Sequence, residues 1–105
     1  MDEQRLREIE NNRTIRGYII RSLTKGHQSA LLIKQITNSL IAENIIISPD
    51  IGKYLDYLKE GGYIAFTDKS VTAYTAYRRD AVIKLTKKGI DLIEGNIPPD
   101  PGVDV

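Results

Sequence analysis

Near the start of the chain, apolar residues recur at helical spacing. Leu6, Ile9, Ile15, Ile19, Ile20 and Leu23 share roughly one stripe and charges fill the other faces, which predicts a helix over residues 2–24. Lys25-Gly26 ends it, because glycine after a basic last turn is a C-terminal signal. Ser29 offers an N-cap hydroxyl for a second helix over residues 30–43, with Leu32, Ile33, Ile36, Leu40 and Ile41 as its stripe and Asn44 as its stop. Ile45-Ile46-Ile47 is too apolar for an exposed loop and is expected to pack under the next helix. Ser48-Pro49-Asp50 reads as the start of a third helix: a capping serine, a proline at the first position, and an acid at the positive helix end. That helix runs to Glu60, buries Ile51, Tyr54, Leu55 and Leu58, and stops at Gly61-Gly62.

From Tyr63 the period changes to two. Residues 63–67 and 81–85 read as paired strands, and the alternation from Val71 to Tyr77 suggests further strand between them, with Asp68-Lys69-Ser70 as a turn. Thr86 caps a short helix over 87–94, with Ile90 and Ile93 inward and Gly95 as its stop. Residues 96–105 hold every proline but Pro49 and read as an extended, weakly ordered tail. The organisation expected is one domain over 1–95 and a flexible Pro-rich tail over 96–105.

Three helices, a strand, a loop, a strand and a short helix make an α+β arrangement: a helix-turn-helix with a β-hairpin wing, in which the third helix enters the major groove and the hairpin reaches the backbone or minor groove. Tyr57-Leu58-Lys59-Glu60-Gly61-Gly62-Tyr63-Ile64 resembles the end of the recognition helix in bacterial winged-helix regulators. Leu85-Thr86-Lys87-Lys88-Gly89-Ile90-Asp91 resembles the stretch that closes their wing. Leu92-Ile93-Glu94-Gly95 and Pro101-Gly102-Val103 add a narrower similarity, to the small ArsR-like winged-helix proteins of Mu-like prophages. The resemblance implies a phage or prophage transcriptional regulator that binds double-stranded DNA. The chain departs from that group in a longer stretch between Ile64 and Leu85 and in a tail without basic residues after Pro-Gly-Val.

Composition then narrows the chemistry. At 105 residues the chain has room for one core, and without cysteine it has no disulfide, thiolate metal site or thiol nucleophile. Nothing reads as a signal peptide or membrane span, so a cytoplasmic location is expected. No Ser/His/Asp grouping, Walker loop or Gly-x-Gly-x-x-Gly is present, Asp50 and Asp56 fall on different helix faces, and His27 stands alone. The reading is of a non-enzyme without cofactor or metal.

The net charge of +1 hides an uneven distribution: residues 1–61 carry +1, residues 62–88 carry +4, and residues 89–105 carry −4. Lys69, Tyr74, Tyr77, Arg78 and Arg79 are the expected wing contacts to phosphate or minor groove, unless the arginines pair with Asp68 or Asp80. On the third helix the candidates are Ser48, Lys53, Tyr57 and Lys59, on a face of net −1 that suits phosphate less well. A protein-binding adaptor in phage DNA packaging or morphogenesis, with a phage protein as partner, is therefore the alternative. Leu6 and Ile9 mark the first helix as a candidate homodimer contact.

Overall fold

The computed structural model describes residues 2–105. Its first helix, α1 (Glu3–Leu23), is capped by Asp2, whose carboxylate accepts the Arg5 N–H at 2.8 Å. At 21 residues it is about 31 Å long. Its C-terminal half buries Ile15, Ile19, Ile20 and Leu23, while Leu6 and Ile9 remain exposed.

Where the second helix was expected to begin, the chain makes a strand instead. Gln28 and Ser29 adopt positive φ of 54° and 59° in a turn over His27–Ser29. An N-cap needs extended backbone, so Ser29 caps nothing. Ala30–Leu32 forms β1, and α2 (Ile33–Ala42) starts three residues later than expected. Two side chains serve its start: Gln35 accepts the Leu32 N–H at 2.9 Å, and Asp80 accepts the Lys34 N–H at 3.3 Å. Ile33, Ile36 and Leu40 are buried, whereas Leu32 and Ile41, at the margins of the expected stripe, are exposed. Asn44 does stop the helix, with φ of 59°. Ile45 and Ile46 then pack on the core, but Ile47 is 99% exposed.

The third helix, α3 (Gly52–Glu60), also starts late. Ser48 Oγ accepts the Asp50 N–H and Asp50 accepts the Gly52 N–H, both at 3.3 Å, so the Ser-Pro-Asp signal builds two local turns ahead of the helix. Leu55 and Leu58 are fully buried, and Gly62 ends the element at φ of 83°, as expected of the Gly-Gly pair.

β2 (Ile64–Phe66) and β3 (Val82–Leu85) pair antiparallel, with Ala65 opposite Lys84. β1 pairs with the other edge of β3, Leu31 opposite Ile83, giving a three-stranded antiparallel sheet in the order β1-β3-β2. The fold is α+β, with four α-helices and this small sheet among the described residues.

Residues 71–77 are irregular backbone and turn, not the strand their alternation suggested. Val71, Ala73 and Ala76 are buried, and the Ala81 carbonyl accepts the Ile33 N–H at 2.9 Å. Alanines let the backbone approach closely, so this stretch folds back against the starts of α2 and α3. A Cβ on Gly52 would lie 2.7 Å from the Tyr74 ring, which shows how closely that ring covers the start of α3.

Thr86 caps α4 (Lys87–Glu94) as expected, accepting the Gly89 N–H at 3.1 Å, and Gly95 closes it at φ of 77°. The tail is not the weakly ordered arm its prolines suggested. Val103 is 4% exposed within the core, and the Asp104 N–H bonds the Arg13 carbonyl of α1 at 3.2 Å. Among the described residues no helix is long and apolar enough to cross a membrane.

Candidate nucleic-acid interface

The basic stretch between β2 and β3 is ordered from within. Asp68 accepts both the N–H and the hydroxyl of Ser70, at 2.9 and 2.7 Å, and pairs with Arg79 at 3.5 Å. The Ser70 bonds, helped by the Arg79 charge, hold the Asp68 carboxyl below its ordinary value. Arg79 is thus partly engaged in the pairing that competes with phosphate. Asp80 faces elsewhere, since its carboxylate serves α2. Arg78 is exposed and makes no ion pair among the described residues.

Lys34, which the sequence did not single out, joins this group. Its Nζ lies 5.5 Å from the centroid of the Tyr77 ring, so the start of α2 sets a cation over the residue that precedes Arg78-Arg79. The hint in the sequence was only a lysine at a helix start; its neighbourhood depends on the back-folding of residues 71–80. Lys69 and Lys59 come together along one cleft with Ile64, Phe66 and Val71. Ser48, Lys53 and Tyr74 come together in another, of about 540 Å³, beside Ile15 and Ile45–Ile47. Tyr74 is 68% exposed and Tyr77 39%.

No protein family matches the chain, and no curated protein or solved structure matches it either.

Tyr57 is not the outward contact the sequence suggested. The Arg16 guanidinium lies 3.7 Å from its ring centroid, and its hydroxyl donates to Asp100 at 3.3 Å. Asp100 also accepts the Tyr63 hydroxyl at 2.7 Å and the Gly102 N–H at 2.8 Å. Burial, then the bond to Asp100 and its charge, push the Tyr63 hydroxyl up to about 12. Burial raises the Asp100 carboxyl, but the bonds from Tyr63, Gly102 and Tyr57, with Arg16 nearby, outweigh it and leave Asp100 below its ordinary value. Sequence reading missed this cluster because it joins a tail residue to two tyrosines assigned elsewhere.

The outward face of α3 thereby reduces to Lys53, Asp56 and Glu60, with Lys59 turned towards β2. His27 is exposed on its turn, and no group of three or more His, Asp or Glu side chains that could hold a metal occurs among the described residues.

Proposed function

We propose that this chain is a winged-helix protein that binds duplex DNA, led by the basic segment between β2 and β3 rather than by α3. The element order from α1 through β3, with β1 as the third strand of the sheet, supports the winged-helix reading. The exposed Arg78 and Arg79, with Lys34 over the ring of the preceding Tyr77, carry the DNA reading, because phosphate binding draws on cations at an accessible surface. The resemblance of Leu85–Asp91 and Pro101–Val103 to prophage winged-helix proteins favours a cytoplasmic prophage regulator as its setting.

The test is duplex binding measured against salt concentration. Each lost phosphate contact lowers the slope of log affinity against log salt by about one, so Arg78→Ala/Arg79→Ala lowers it by about two. Unchanged affinity in that variant removes the wing from the mechanism.

One observation favours a second reading. Lys53, Asp56 and Glu60 leave the outer face of α3 with net −1, which suits a protein partner better than phosphate. Absence of DNA binding at low salt, with co-purification of a phage packaging or head protein, would establish the adaptor instead. In either case Leu6 and Ile9, 47% and 38% exposed, are the proposed homodimer contact on α1. A monomer in light scattering at high concentration removes that contact.

A further inference from the structure

The segment after α4 meets α1 and α3 through side chains that the DNA reading leaves unused. Arg16 and Arg21 donate to the carbonyls of Gly102 and Asp104, at 3.1 and 2.6 Å. Tyr57 and Tyr63 donate to Asp100. In all four contacts the segment is the acceptor; it donates to α1 once, through the Asp104 N–H to the Arg13 carbonyl. The arginines meet two backbone carbonyls and the hydroxyls meet the Asp100 carboxylate, so these donors are set for a row of acceptor oxygens, which a phosphodiester backbone also presents.

Arg16 has capacity to spare: its Nε is buried without a hydrogen-bond partner. The cleft on the outer face of α3 carries Arg16 and Lys53 against Asp56, Glu60 and Asp100, so removing Asp100 takes it from net −1 to neutral. Val103 alone is buried among residues 96–105, so apart from that side chain and the packing of Ile97 the segment is held by the polar contacts above.

We propose that α1 and α3 carry a second phosphate-binding face, built on Arg16, Arg21 and Tyr57, which the chain's own Asp100–Asp104 segment occupies until duplex DNA displaces it. The proposal rests on the DNA reading above, and it adds the two arginines of α1 to the cations that the wing offers.

Deletion of residues 97–105 tests it with two readouts. Spectrophotometric titration of the tyrosines reports release: one hydroxyl should return from about 12 towards its ordinary 10.0. Duplex binding reports the consequence: affinity should rise about tenfold and the salt slope should steepen by about two, for Arg16 and Arg21. Adding Arg16→Ala to the deletion should reverse part of the gain. A folded deletion with its tyrosine released but unchanged affinity and slope overturns the proposal. If the deletion does not fold, Asp100→Asn decides in its place: it keeps the side chain's shape, removes its charge, and should raise affinity, whereas unchanged affinity overturns the proposal. Polyglutamate bound as tightly as DNA by the opened protein would overturn the assignment to phosphate. The two readings fail differently. If neither the full chain nor the deletion binds duplex at low salt, the DNA reading itself falls. If Arg78→Ala/Arg79→Ala weakens binding while the deletion changes nothing, the wing stands and the second face falls.

Discussion

Arg79 shows how a basic residue counted in a sequence differs from one offered to a ligand. Its guanidinium contacts Asp68 and Ser70, and both bonds must loosen before it can meet a phosphate in full. Asp68→Asn removes the competing charge while keeping an acceptor for Ser70. On the DNA reading, it should raise duplex affinity by a few fold and steepen the salt slope by about one. A slope equal to that of the wild type would mean that Arg79 does not reach the duplex. Gly89 is a different case, a residue the sequence marked only as part of the stretch that resembles a wing closure. The Leu-Thr-x-x-Gly stretch needs glycine there because an added Cβ would stand 2.3 Å from the Tyr63 carbonyl oxygen, a backbone atom that has little room to move. Gly89→Ala should cost about 2 kcal/mol in urea denaturation, as overpacking against a fixed neighbour does.

At the level of elements, local signals identified most pieces and misplaced several of their starts. The helix stops at Asn44, Gly62 and Gly95 were legible because positive φ favours these residue types wherever the chain folds. The starts of α2 and α3 were not, because each depends on something non-local. Ala30-Leu31-Leu32 is an apolar run that fits a helix or a strand equally well by periodicity, and only pairing with β3 decides between them. The cap of α2 arrives from Asp80, whose φ of 44° is itself set by the turn before β3. That dependence can be tested on stability. Asp80→Ala removes the cap and leaves a side chain ill suited to left-handed backbone, so it should cost about 1 kcal/mol or more in chemical denaturation. Asp80→Asn keeps both an acceptor and tolerance of positive φ and should be nearly neutral. Equal losses in the two variants would show that the cap contributes nothing.

Across the whole molecule, the near-neutral charge resolves into contacts that no count of residues could locate. The acids of the tail do not reach the wing; Asp100 sits beside Arg16, Tyr57 and Tyr63, while the Asp104 backbone bonds α1. Docking of the tail is therefore tied to two titrations of opposite sense. Asp100 has a lowered pKa when docked, so its contribution is present above the ordinary value of 3.8 and is lost as pH falls through the docked value. Tyr63 has a raised pKa, so its contribution is full below 10.0 and is lost as pH climbs to about 12. Between these limits docking should not respond to pH. The Val103 methyl resonances, shifted by burial in the docked state, provide the measurement. They should hold still from about pH 5 to about pH 9 and move towards free-chain positions on either side. In Asp100→Asn the acid limb should disappear, because the titrating carboxyl is gone, while an alkaline limb from Tyr63 persists in weakened form. An acid limb of unchanged midpoint in that variant would assign the sensitivity to another carboxylate and remove Asp100 as the group that fastens the tail.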